Sequence, residues 1–315
     1  MRIEFVAVFD SLQFLVGAAR EENKLSQLAI KLIAALVIAG GATLASATPP
    51  LDPGNGSYLA LGDSVPFGII AADGPAYINP KNFVGYPDYV GGRRLDTVNA
   101  ACPGETSSSF IFSTGADNGC RAFRANFPLH VSYASTQLNF AMNYLAAHKQ
   151  TRVVTIQLGA NDGLLLEMSC NGDPACIQAG LPQAVATLKL NMDTILRSLR
   201  ATGFRGVLIV VNYYSTDYTD PLLTSLTVLL NQTLAAVAGA NGAVIADAFT
   251  AFKTAASTPF AGGKTCRAGL LNVNPSDPTQ ATCDVHPTQS GHQLLADTVE
   301  AAYKAASPGH LAFGE

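Results

Sequence analysis

The sequence predicts an α/β fold: one three-layer α/β/α domain with a mostly parallel sheet, spanning residues 57–306 of a 315-residue chain. Three observations carry this. Short unbroken apolar runs alternate with longer stretches whose apolar positions recur at helical spacing. Strands buried on both faces read as such runs, and parallel neighbours need helical crossovers between them. The two clearest runs, 152–158 (RVVTIQL) and 206–212 (GVLIVVN), are dominated by Val, Ile and Leu. Finally, no internal repeat and no change of composition divides the domain.

Each element follows in order. Residues 48–56 (TPPLDPGNG) are Pro- and Gly-rich and read as a linker. Residues 57–61 (SYLAL) form a short buried strand that stops at Gly62-Asp63-Ser64, and 95–100 (LDTVNA) a second. Residues 135–148 carry apolar positions at helical spacing. The 152–158 strand ends at Gly159, and 178–202 hold a long helix with Pro182 near its first turn. The 206–212 strand is followed by a helix over 222–239, a brief strand at 243–246, and a last amphipathic helix over 288–306. Residues 307–315 are a tail. Ligands of such sheets sit at the C-terminal ends of the strands. Ser64 and the turn Gly159-Ala160-Asn161-Asp162 are therefore expected on one edge.

The chain is 48% hydrophobic and 13% charged, with a net charge of −4 and no cluster of Lys and Arg. That excludes nucleic acid as an expected partner. Lys24 and Lys31 precede an apolar stretch over 32–44, closed by Ala45-Ser46-Ala47. This is the pattern of a secretory signal, cleaved near Ala47. Residues 32–47 fall short of the about 20 needed to span a bilayer, so no stable span is expected after cleavage. Residues 1–23, with Glu4, Asp10, Glu21 and Glu22, read as an N-terminal extension before the signal. A secreted monomer is expected. Six cysteines follow the cleavage site: Cys102, Cys120, Cys170, Cys176, Cys266 and Cys283. An even count in an exported chain reads as disulfides. Short loops favour the nearest-neighbour pairs 102–120, 170–176 and 266–283. No C-x-x-C pair is present, so no metal site is expected.

The chemistry-bearing residues are individually ambiguous. Ser64 after a strand can be a helix N-cap or a nucleophile, and Gly62-Asp63-Ser64-Val65-Pro66 lacks the G-x-S-x-G elbow of α/β-hydrolases. Asn161 can be a turn residue or an amide donor to a developing oxyanion. Gly104, in Asn99-Ala100-Ala101-Cys102-Pro103-Gly104, can offer its N–H as a further donor or simply make a tight turn in a disulfide-pinned loop. Among the histidines, His130, His148 and His310 lack a motif, and His292 sits inside the last helical pattern, where it packs or caps. His286, in Asp284-Val285-His286-Pro287, lies on a late loop just before a helix start, from which it can be aimed at a strand edge.

Taken together, these blocks resemble the GDSL-type, or SGNH, serine hydrolase family, from Tyr58 to about Ala302. Gly-Asp-Ser matches at 62–64, the second-block glycine at Gly104, Gly-x-Asn-Asp at 159–162 and the histidine at His286. The resemblance implies a flavodoxin-like arrangement, with Ser64 as nucleophile and His286 as general base. It also implies an oxyanion hole of the Ser64 N–H, the Gly104 N–H and the Asn161 side chain. One departure matters. The family's last block places Asp three residues before His, where this chain has Cys283; Asp284 stands two before. Either Asp284 orients the imidazole, or a main-chain carbonyl near Cys283 does so and a Ser–His dyad remains.

The expected activity is hydrolysis of a small-molecule or lipid ester through an acyl-enzyme, without metal or organic cofactor. Val65, Phe67, Ile69 and Ile70 suggest an apolar acyl site. The alternative substrate is an acetylated polysaccharide. The alternative from another class is a non-catalytic secreted binding protein on the same scaffold, which need not keep Ser64, Asn161 and His286 together.

Overall fold

The computed structural model describes residues 56–70, 74–90, 95–274 and 283–307. The expected N-terminal extension, signal and most of the linker lie outside the described residues, as does the tail after Ser307. In chain order the elements are β1 (Gly56–Gly62), α1 (Ser64–Phe67), three 3₁₀ turns between Gly74 and Asp88, and β2 (Leu95–Asn99). Next come α2 (Ser107–Ile111), α3 (Cys120–Asn126), α4 (Gln137–Ala147), β3 (Thr151–Gln157), α5 (Ala160–Ser169) and α6 (Pro174–Ala201). Then follow β4 (Val207–Val211), α7 (Pro221–Ala240), β5 (Val244–Ala246), α8 (Ala248–Ala256), β6 (Leu271–Val273), β7 (Cys283–Pro287) and α9 (Gln289–Ala306).

Five parallel strands form the main sheet in the order β2-β1-β3-β4-β5. This is the flavodoxin order, and its topological switch point lies between β1 and β3. Side chains alternate across each strand, so each strand feeds two cores. Leu59, Leu61, Val154, Ile156, Leu208 and Val210 pack with Leu145, Leu188, Leu196 and Leu234 from α4, α6 and α7. Tyr58, Ala60, Val153, Ile209 and Val211 face the other way, onto Phe252, Leu295 and Val299 from α8 and α9. Burial on both faces is why these strands read as continuous apolar runs rather than alternating ones.

Several elements differ from expectation. The long helix starts at Pro174, with Asp173 capping the Cys176 N–H, so Pro182 lies inside the helix rather than near its first turn. A cap followed by Pro at the first helical position is a start signal; α7 repeats it with Asp220 and Pro221. Helices α1, α2 and α3 were not expected, being one or two turns long, and neither were α5 and α8. The stretch around His286 is a strand, not a loop: β7 pairs antiparallel with β6 through Leu271↔Pro287 and Val273↔Cys283.

Candidate active site

The site is built at the β1/β3 switch point. Strand β1 stops at Gly62, whose φ of 134° and tight surroundings admit no side chain: a Cβ there would lie 2.0 Å from the Gln157 carbonyl oxygen. Asp63, not Ser64, is the helix cap, its Oδ1 accepting the Val65 N–H at 3.0 Å. Ser64 is consequently the first helical residue, and its hydroxyl meets His286 instead of the backbone. Asp63 is buried and also accepts a hydrogen bond from the Tyr213 hydroxyl. Burial pushes its pKa up to about 6, against the hydrogen bonds from Tyr213 and Val65.

His286 and Asp284 are two apart on β7, and residues i and i+2 of a strand share a face. His286 Nε2 lies 2.9 Å from Ser64 Oγ, and Nδ1 lies 2.7 Å from Asp284 Oδ2. The second Asp284 oxygen accepts the Val285 N–H at 2.5 Å. Burial raises the Asp284 pKa, but the hydrogen bond and charge of His286 and the neighbouring N–H groups outweigh it, leaving the carboxyl below its ordinary value. Strand β7 is held from three sides. Cys283 is bonded to Cys266, Asn272 Nδ2 donates to the His286 and Pro287 carbonyls at 3.2 and 2.8 Å, and the Tyr214 hydroxyl donates to the Val285 carbonyl at 2.6 Å.

The donor side is equally constrained. Gly104 adopts φ 81°, and a Cβ there would lie 2.2 Å from the Asn118 carbonyl oxygen. The Cys102–Cys120 disulfide closes its loop. The third disulfide joins Cys170 to Cys176, at the junction of α5 and α6. Asn161 is buried in the first turn of α5; its Oδ1 accepts from Asn118 Nδ2 at 2.8 Å and its Nδ2 donates to the Glu105 carbonyl at 3.0 Å. Asp162 staples α5 to α2, accepting the Ser107 N–H at 2.9 Å and the Ser107 hydroxyl.

Two expectations need correction or completion. Val65, Phe67 and Ile69 do not line an acyl site: they are buried in the core clusters, because α1 turns its apolar side inward, and only Ile70 reaches the surface. Asp63, Glu105, Asn118, Gln137 and Tyr213, which hold the site residues, were not singled out from sequence. Only Asp63 left a readable signal, as a capping residue before a one-turn helix. Among the described residues, Cys102, Glu105 and Cys120 bring ligand-type atoms within 4.8 Å of one another. Both sulfurs are consumed by the disulfide, so the cluster offers a single carboxylate and no metal centre.

His292 packs in the core rather than capping, buried with both ring nitrogens unpaired. Burial, reinforced by nearby His286, pulls its pKa from 6.5 to about 3. The unfolded chain therefore binds a proton that the folded state refuses, and stability falls as pH drops from about 6.5 towards 3. By pH 4 this amounts to about 3 kcal/mol. His292→Leu is expected to lose less stability than the parent between pH 7 and pH 4 in denaturant melts. Equal losses would show that His292 does not carry the acid sensitivity.

A serine after the first strand of a flavodoxin-order sheet, met by a histidine from beyond the last strand, is the frame of a serine ester hydrolase. The chain belongs to the GDSL-like Lipase/Acylhydrolase family, whose model matches residues 60–294, and it is an ester hydrolase of that type. Among solved structures it is similar to phospholipase A1 from Streptomyces albidoflavus NA297, at 22% identity and a TM-score of 0.51 over 78% of this chain and 99% of that one. It is also similar to a lipase from a goat rumen metagenome, at 17% identity and a TM-score of 0.48 over 78% and 97% of the two chains. An acetylxylan esterase from Geobacillus stearothermophilus is similar at 14% identity and a TM-score of 0.48 over 79% and 95%. No match was found among curated proteins.

Proposed function

We propose that the protein is a secreted carboxylic-ester hydrolase working through an acyl-enzyme on Ser64. The observation that carries this is the bridging position of His286, 2.9 Å from Ser64 Oγ on one side and 2.7 Å from Asp284 on the other. In this reading, Ser64 Oγ attacks the ester carbonyl carbon while His286 Nε2 takes its proton. The oxyanion is received by the Ser64 and Gly104 N–H groups and by Asn161. Collapse of the intermediate expels the alcohol, which leaves with the proton from His286. Water then attacks the acyl-enzyme with His286 again as base, freeing the acid and restoring Ser64. Asp284 holds the imidazole in the tautomer that exposes a basic Nε2. Export, with cleavage near Ala47, is supported by the three disulfides, and the activity is assigned to residues 57–306, which contain Ser64, Asp284 and His286.

A fluorophosphonate probe tests the mechanism. The folded, oxidised protein is expected to label, and Ser64→Ala is not. Absence of label on the parent would favour the non-catalytic scaffold. For the substrate, lipid or short acyl esters lead. Exposed apolar side chains occur on α5, which carries Asn161, as Leu164 and Met168, and at the end of α2, as Phe112. Turnover of aryl esters of increasing chain length is expected to peak sharply. Preference for acetylated xylan over every aryl ester would favour the polysaccharide O-acetyl esterase instead.

A further inference from the structure

Behind the donor side of the site lies a buried polar strut that the proposed mechanism does not use. Gln137, the first residue of α4, is fully buried. Its Oε1 accepts the Gly62 N–H at 2.6 Å, and its Nε2 donates to the Gly62 carbonyl at 3.0 Å. One side-chain amide thus pairs with both backbone groups of the residue at which β1 ends, two residues before Ser64. The same Nε2 donates to Glu105 Oε2 at 3.0 Å. Glu105 is 2% exposed, its other carboxyl oxygen accepts from the Ser109 hydroxyl, and its main-chain carbonyl accepts from Asn161 Nδ2 at 3.0 Å. It directly follows Gly104.

We propose that Gln137 and Glu105 are a positioning pair for ester hydrolysis, fixing the end of the nucleophile strand relative to the Gly104 and Asn161 oxyanion donors as one unit. This rests on the acyl-enzyme reading of Ser64. Neither side chain has to touch substrate. The pair adds side-chain ties among three pieces of chain: β1 through Gly62, whose carbonyl also accepts the Cys102 N–H at 3.0 Å, the Gly104 loop through Glu105 itself, and the start of α5 through the Asn161 amide. The distance between the attacking oxygen and the oxyanion donors is what such a tie controls, and displacements of about 1 Å cost roughly 100-fold in rate. The chemistry of the pair favours this role over plain stabilisation. A buried carboxylate is a poor stabiliser next to an apolar replacement, and burial raises Glu105 to about 7 against the hydrogen bonds from Ser109 and Gln137. A fully satisfied buried network, by contrast, specifies a unique geometry.

The test uses the full chain, with kcat and KM on a soluble aryl butyrate, the rate of fluorophosphonate labelling, and circular dichroism to verify folding. Gln137→Leu removes all three hydrogen bonds and is expected to lower kcat and the labelling rate about 10–100-fold with KM nearly unchanged, in the range for loss of a group that orients a catalytic one. Glu105→Gln keeps an acceptor for Gln137 and is expected to stay within about threefold of the parent, since the amide still accepts that bond. Gln137→Glu sets two carboxyls 3.0 Å apart, where they must share a proton. Its kcat is therefore expected to fall with rising pH more steeply than the parent's. Arg124, Asp117 and Tyr133 also face Glu105 and are common to all variants. A folded Gln137→Leu with parental kcat, or with its loss confined to KM, overturns the proposal. Should that variant not fold, a parental pH profile in Gln137→Glu overturns it. Failure of the parent to label would defeat the Ser64 reading itself, whereas a labelled parent with unaffected variants defeats only the strut.

Discussion

Replacing Ser64 with alanine is expected to lower kcat for an aryl ester by about 10⁶-fold, and the Ser64→Ala, His286→Ala double variant is expected to be no worse. The hydroxyl and the imidazole act on one proton across the 2.9 Å between Oγ and Nε2. Once either is gone the other has nothing to do, so the effects do not add. A residual rate of about 10³ over water should survive from the oxyanion donors. Stability should hardly move. The hydroxyl's hydrogen bond is to His286, whereas the α1 N-terminus is capped by Asp63. Kinetics and thermal melts on Ser64→Ala, His286→Ala and the double variant check this. Additive losses, or a Ser64→Ala enzyme within about threefold of parental turnover, as for an uninvolved surface position, would remove Ser64 from the chemistry.

The parts of this site that were legible in sequence are those that local chain geometry dictates. Ser64, Gly104 and Asn161 each follow a parallel strand, and strand ends converge at one edge of such a sheet whatever the intervening helices do. The cysteine pairs were legible because loop closure favours near neighbours. What stayed hidden depends on partners far apart in the chain. Gln137 is 75 residues from Gly62 and 32 from Glu105, and nothing near it marks it as more than the start of a helix. Helix α5 escaped because its apolar residues do not form one buried stripe: among them Leu164 and Met168 are exposed. The apolar residues after Ser64 face the core because α1 is a single turn that packs Val65 and Phe67 inward. Strand β7 was the least legible element. It pairs with a three-residue strand across an irregular register, and its five residues show no clean alternation. Read as a loop, it left the role of Asp284 open.

That strand makes the Asp284→Asn variant the sharper of the two active-site tests, with an expected loss in kcat on the order of 10⁴. An acid three residues before a histidine suits a turn, but on an extended strand only i and i+2 point the same way. Asp284 therefore occupies the position that β geometry requires, and Nδ1 lies 2.7 Å from Oδ2. The size of the expected loss follows from the other oxygen. Oδ1 accepts the Val285 N–H, and in Asp284→Asn that N–H will keep the amide oxygen. The amide nitrogen is then turned to His286, where it can only donate. Nδ1 must become the acceptor, the ring proton moves to Nε2, and the nitrogen facing Ser64 can no longer take a proton. Asp284→Ala imposes no such tautomer and should fall less far than Asp284→Asn. The rank order of the two variants, read from kcat at neutral pH, separates a triad from a dyad. If a main-chain carbonyl near Cys283 held the ring, both substitutions would be mild and alike. If Asp284 holds it, the isosteric change is the more damaging one, because asparagine fills the same space with the hydrogen on the wrong side.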